Sequence, residues 1–110
     1  MTEKMSIASN GTVTVAGDIT TTGNLTISSA NPQILLTDTG DNPDYVIKNN
    51  NGTVQINDNT NGATRFAINT DGHIDIAGNV DFGNGIDVTG DITATGDLTV
   101  TGGDVIIQGT

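Results

Sequence analysis

Apolar residues occur in regularly spaced pairs in the C-terminal third of the chain. The two members of a pair are two positions apart, and from Ile74 to Val100 each pair begins six residues after the previous one. Val105 and Ile107 continue the series, shifted by one residue after Gly102-Gly103. Because apolar residues at positions i and i+2 lie on the same face of a strand, this pattern predicts a row of short strands separated by Gly-containing turns.

The same pattern occurs near the N-terminus. Residues 17–27 and 90–100 are identical at eight of eleven positions, and both begin with Gly-Asp-Ile-Thr. A strand and turn of six residues cannot bury an apolar face alone, so such units must stack, either within one chain as a β-solenoid or between chains as an intertwined fibre. Residues 73–110 suffice for only about two coils of a solenoid, which is too small a core. We therefore expect stacking between chains in a parallel homotrimer.

The middle of the chain, residues 31–72, breaks the six-residue period. Alternating apolar and polar positions predict four strands, over residues 33–37, 45–49, 53–57 and 65–69. Turn-forming sequences separate them, and Asn51-Gly52 in particular favours the type I′ turn of a β-hairpin. We predict a small four-stranded antiparallel meander between an N-terminal repeat segment (residues 1–30) and a C-terminal repeat stem (residues 73–110).

The expected fold class is therefore all-β. We expect an elongated homotrimeric β-fibre, a triple β-helix or β-prism, in which the hexapeptide-like repeats flank the meander. Each fully buried aliphatic side chain contributes roughly 1.5–3 kcal/mol, and ordering entropy offsets most of that gain. The predicted trimer core consists of Val13, Val15, Ile19, Leu25, Ile27, Ile74, Ile76, Val80, Phe82, Ile86, Val88, Ile92, Leu98, Val100, Val105 and Ile107.

Composition and charge narrow the function classes. Thirteen acidic and three basic side chains give a net charge of −10, which argues against a nucleic-acid partner because phosphate binding needs clustered positive charge. The absence of Cys excludes disulfides and thiolate metal sites. The longest apolar runs, such as Ile34-Leu35-Leu36, are far shorter than a bilayer span, so we expect no membrane insertion.

No motif indicates catalysis, a cofactor or a metal. The sequence from Asn57 to Gly62 begins like a calcium-binding loop, but its twelfth position, which requires Glu, is Ile68. The single His73 cannot form a multi-His metal site. Asp residues that follow glycines, such as Asp91, are interpreted as solvated turn residues, although in a trimer they could form rings that hold a divalent cation. We expect a protein that is not an enzyme.

A glycan-binding site is the alternative function. Tyr45 could stack on a sugar ring beside the carboxylate of Asp44, which would make the meander a module for host-surface recognition. The strand position of Tyr45 favours a core or trimer contact instead. Asp44 and Tyr45 are therefore candidate glycan contacts, and a monomeric β-solenoid surface protein is a further alternative.

Several segments resemble a known class of viral protein. Residues 32–38 (PQILLTD), residues 42–49 (NPDYVIKN) and residues 69–72 (NTDG) are similar to a segment common in tail-fibre and related virion proteins of tailed bacteriophages, with phages of marine cyanobacteria as typical carriers. The Gly-Asp-Ile-Thr repeats, at residues 17–20 and 90–93, are also similar to stem repeats of those proteins. The resemblance, taken over the repeats and the meander between them, extends along nearly the whole chain.

The resemblance implies a homotrimeric fibre or appendage on the surface of a virion. Such a protein contacts other virion proteins and supports host adsorption, and its location is the extracellular particle. The chain ends in phase with a repeat. We therefore expect the N-terminal part of a longer protein, or a short appendage protein, in a position near the particle and carried by either the tail or the capsid.

Overall fold

The chain folds into β-structure. A computed structural model describes residues 3–109, which contain seven strands in two antiparallel sheets and no helix. One unit ends at Asn79 and a second begins at Val80, and all seven strands lie in the first unit. The strands are β1 (Met5–Ile7), β2 (Val13–Val15), β3 (Gln33–Leu36), β4 (Tyr45–Asn50), β5 (Thr53–Asp58), β6 (Ala63–Ile68) and β7 (Ile74–Ile76).

Strands β1 and β2 form an N-terminal hairpin. Met5 pairs with Val15 and Ile7 with Val13, so these apolar side chains share one face of the hairpin. The connecting turn is closed by the backbone N–H of Ala8, which donates to the carbonyl of Thr12 at 2.8 Å. Val13 and Val15, predicted from the repeat, therefore lie in a strand, and their partner strand β1 was not predicted.

The other five strands form a meander in the order β3-β4-β5-β6-β7, with each neighbouring pair antiparallel. The four predicted strands correspond to β3–β6. The predicted meander is one strand short, because Ile74–Ile76 adds a fifth strand to its edge. The backbone N–H of Asn69 donates to the carbonyl of His73 at 2.9 Å and closes the β6–β7 turn. An apolar pair at i and i+2 fits a repeat unit and a sheet strand equally well, so the pattern could not distinguish them.

The β4–β5 turn has the predicted type I′ conformation. Asn50 pairs with Thr53, which leaves Asn51-Gly52 as the two-residue loop, with φ angles of +50° and +83°. A type I′ turn requires positive φ at both central residues, and Asn followed by Gly adopts this conformation at low cost.

The single chain buries few apolar side chains. Among the described residues, Val46 and Ala67 are the buried hydrophobic residues, and both lie in the meander. Residues 80–109, which carry most of the repeats, contain no strand. An antiparallel sheet normally covers at least one of its faces with a core, so both parts of the chain leave apolar surface without intramolecular cover.

Candidate functional site

The predicted trimer core residues are exposed in the single chain. Every one of them except Val15, which is half-buried, has a solvent-exposed side chain. In the second unit the exposure reaches 80% at Leu98 and 89% at Ile107. Scattered exposed hydrophobic residues are normal, but a periodic series of them indicates an interaction surface.

The five-stranded sheet has a second apolar surface. Partner residues on neighbouring strands share a face, and the register aligns Ile47 of β4 with Ile34 on one side and Ile56 on the other. These side chains are exposed to solvent. The apolar side chains of this surface, called the apolar face below, are Ile34, Leu36, Tyr45, Ile47, Val54, Ile56, Phe66, Ile68, Ile74 and Ile76. The register also places the uncharged polar Asn49 on it, opposite Val54.

A neutralised pair of charges lies at one end of the apolar face. A bulge in β6 leaves Arg65 without a partner in β5, since Ile56 pairs with Phe66 and Asn57 with Thr64. The guanidinium of Arg65 donates to Asp58 Oδ2 at 2.7 Å, and the Asp58 side chain is 1% exposed. The two residues therefore bring no net charge to the face.

The Asp58 carboxylate also closes the β5–β6 turn. It accepts hydrogen bonds from the backbone N–H of Asn61 at 3.0 Å and from the Asn61 side-chain amide at 2.9 Å. The hydrogen bond from Arg65, followed by those from Asn61, lowers the pKa of Asp58 from 3.8 to about 2. Burial opposes this shift but is outweighed, because a carboxylate with several donors favours its charged form. Asp58 could not be identified as the partner of Arg65 from the sequence, because the two residues lie on different strands and meet only through the pairing of β5 with β6.

The two candidate glycan contacts, Asp44 and Tyr45, lie in different surroundings: Asp44 is held within a loop, and Tyr45 lies on the apolar face. The Asp44 carboxylate accepts a hydrogen bond from the backbone N–H of Asp38 at 2.9 Å, and the Asp44 backbone N–H donates to Thr60 Oγ1 at 2.9 Å. Asp44 thus joins the β3–β4 loop to the β5–β6 turn. Tyr45 pairs with Leu36 and Asp58, which places its side chain on the apolar face.

An open depression of about 710 Å³ adjoins Tyr45, and Leu36, Asp38 and Pro43 also line it. It offers a carboxylate and an aromatic ring, the groups that a sugar would contact. Asp44 does not line it, and its carboxylate is engaged within the loop. The structure therefore brings Tyr45, but not Asp44, to a concave surface.

The single histidine forms a pair on the surface. His73 Nδ1 lies 2.9 Å from Asp71 Oδ2, and the His73 backbone N–H donates to Asp71 Oδ1 at 3.0 Å. These bonds lower the pKa of Asp71. Both side chains are exposed, so the pair stabilises the β6–β7 turn and does not form an enclosed site.

No group of three or more His, Asp or Glu side chains in residues 3–109 is arranged to hold a metal ion. Over the same residues, no helix is long and apolar enough to cross a membrane. Compared with known proteins, the chain matches no family model, and no curated protein or solved structure is significantly similar to it. The described residues do, however, present exposed apolar surfaces, which are typical of interaction sites.

Proposed function

We propose that this chain is a structural segment of a virion, a homotrimeric fibre or appendage that attaches to other virion proteins and supports host adsorption. The observation that carries the trimer is the exposure of apolar pairs at a six-residue spacing. Within the described residues, Val46 and Ala67 are the only buried hydrophobic side chains. The virion assignment is supported by the resemblance of the repeats and meander segments to bacteriophage fibre proteins.

The arrangement of residues 80–109 favours association between chains over a monomeric solenoid. A solenoid requires successive coils of one chain to pair as strands. In the described part of this segment no strand forms, and Ile86 and Ile92 are 63% and 78% exposed. Strands from other copies with the same period would supply both the missing hydrogen bonds and the apolar cover.

Solution mass and two substitutions test the trimer. Three chains of 11.2 kDa give about 34 kDa, which light scattering after size exclusion distinguishes from a monomer. Ile92→Asp should abolish assembly, because it places a charge in the interior without a partner. The matched control Asp91→Asn, at the adjacent turn position, should assemble normally. A monomeric wild-type chain, or a fully assembled Ile92→Asp variant, would contradict the proposal.

Attachment to the particle needs its own test. Antibody labelled with gold and raised against this chain should decorate a fibre or appendage on intact particles of a phage that encodes it. Label on the host cell surface, with none on particles, would refute the virion assignment while leaving the trimer unaffected.

A glycan-binding module is the second candidate, and the depression beside Tyr45 is the observation that favours it. Binding of the intact assembly to a bacterial surface-glycan array should be lost in Tyr45→Ala, which removes the aromatic ring. Binding should be retained in Tyr45→Phe, which keeps the ring that stacks on the sugar. Absence of binding by the wild-type assembly would reject this function.

A further inference from the structure

The apolar face of the meander has no intramolecular cover. It crosses all five strands, and the residues at its centre, Ile47 and Ile56, remain 39% and 37% exposed. The opposite face carries Gln33, Lys48, Gln55 and Asp75 together with Leu35, Val46 and Ala67. The apolar face is thus the more uniformly hydrophobic of the two, whereas the opposite face combines polar side chains with the buried Val46 and Ala67.

The accessible surface of the chain indicates how much cover is missing. The solvent-accessible area is 9918 Å², whereas a compact folded protein of 11.2 kDa exposes about 5,700 Å². The excess is several times the roughly 800 Å² that each partner buries in a stable interface of standard size.

Two connections link the apolar face to the predicted trimer core. Ile74 and Ile76 form β7 at the edge of the face and are also the first pair of the six-residue series. On the N-terminal side, Ile27 of the predicted core lines an open apolar depression of about 230 Å³ with Ile34 and Ile47. Within the unit that ends at Asn79, the apolar face therefore adjoins these three predicted core residues.

The charge distribution is also compatible with a second copy of the chain as the partner that covers the apolar face. The chain has a net charge of −10, so copies repel one another unless their contact surface is free of net charge. The apolar face meets this condition, because its members are uncharged and the pair at its end, Asp58 and Arg65, is mutually neutralised at 2.7 Å. In the stem, Asp91, Asp97 and Asp104 lie between the apolar pairs. Asp75, Asp81 and Asp87 lie at the middle position of a pair, which a strand directs away from the two apolar side chains.

We propose that the apolar face of the meander packs against the same face of the other copies. This inference rests on the proposed homotrimer. It extends the interface to Ile34, Leu36, Tyr45, Ile47, Val54, Ile56, Phe66 and Ile68, and it places Gln55 and Lys48 on the solvent side.

Cysteine cross-linking tests this arrangement directly, because the natural chain contains no Cys. Ile56→Cys lies on the apolar face at the centre of the sheet, and Gln55→Cys is its neighbour on the opposite face. Under mild oxidation, Ile56→Cys should give linked pairs of chains on a non-reducing gel, at a yield about tenfold above Gln55→Cys, since cysteines with Cα atoms more than about 7 Å apart cannot bridge.

A stem variant, Ile92→Cys, separates this inference from the trimer itself. Cross-linking at Ile92→Cys but not at Ile56→Cys, in a wild-type chain with trimer mass, would overturn the packing of the face and leave the trimer standing. A monomeric wild-type chain would overturn both.

Charge substitutions give a second readout that does not depend on cysteine geometry. Ile56→Asp should convert the trimer to smaller species in light scattering, whereas Gln55→Asp should keep the trimer mass. Retention of the trimer by Ile56→Asp would contradict the inference. Circular dichroism of Ile56→Asp should still show β-structure, because this side chain is already exposed in the single chain.

Discussion

A contact between two turns gives a quantitative test of the meander. Gly52 in the β4–β5 turn has a φ of +83°, and a Cβ atom at this position would lie 3.1 Å from Cγ2 of Thr70 in the β6–β7 turn. Gly62 in the β5–β6 turn has a φ of +65°, but a Cβ there would meet nothing within 4 Å. Both glycines thus need a positive φ, but only at Gly52 would an added Cβ atom crowd a neighbouring side chain.

The expected magnitudes follow from this difference. A left-handed backbone costs an L-residue roughly 1–2 kcal/mol, so Gly62→Ala should destabilise by about that amount. Gly52→Ala should cost more, because carbon atoms prefer separations of about 3.5–4.0 Å and Thr70 must move. Since about 1 kcal/mol corresponds to a Tm shift of roughly 4–8 °C in a domain of 60–100 residues, the difference should be measurable.

The assay is thermal unfolding followed by circular dichroism, with all variants at the same chain concentration because assembly makes Tm depend on concentration. Thr70→Ser removes Cγ2, so Gly52→Ala combined with Thr70→Ser should recover the excess cost and match Gly62→Ala. A double-mutant cycle measures this coupling. A coupling of zero between residues 52 and 70, or equal Tm values for the two alanine variants, would refute the reasoning.

Two further predictions concern the polar groups of the sheet. Because Asp58 has a pKa of about 2 when folded and 3.8 ordinarily, the folded state binds its proton more weakly, so its contribution to stability is present above pH 4 and lost as the pH falls towards 2. The stability difference between wild type and Asp58→Asn, measured by thermal unfolding, should therefore shrink between pH 5 and pH 2, and a constant difference would contradict this. Asp44→Ala should destabilise by about 0.5–1.5 kcal/mol, since the Asp38 N–H loses its acceptor at an exposed site that water can reach. Asp81 makes no side-chain hydrogen bond within residues 3–109, so Asp81→Ala should stay within about 0.5 kcal/mol of wild type.

The local pattern was sufficient for most of the meander. Alternation of apolar and polar residues located β3–β6 to within a residue or two, because the side-chain period of a strand is two and is visible in a single sequence. Asn51-Gly52 specified its turn because the requirement for positive φ is met within two residues. The positions of these strands and the conformation of this turn depend on residues that are adjacent in the chain, so they could be predicted from the sequence.

The features that depend on pairing between distant strands were decided by the tertiary structure. Which apolar residues share a face, whether Ile74–Ile76 joins the sheet or the stem, and how a bulge at Arg65 brings its guanidinium to Asp58 all follow from register. If the pairing of a strand shifted by one residue, its side chains would move to the opposite face of the sheet. The alternation of apolar and polar residues within the strand would stay the same. The sequence by itself therefore determined strands β3–β6, the turns between them and the spacing of the apolar repeats. Only the tertiary structure showed strand β1, the place of Ile74–Ile76 in the sheet, and the combination of the strands into one apolar face with a neutralised ion pair at its end, because register is a property of paired strands.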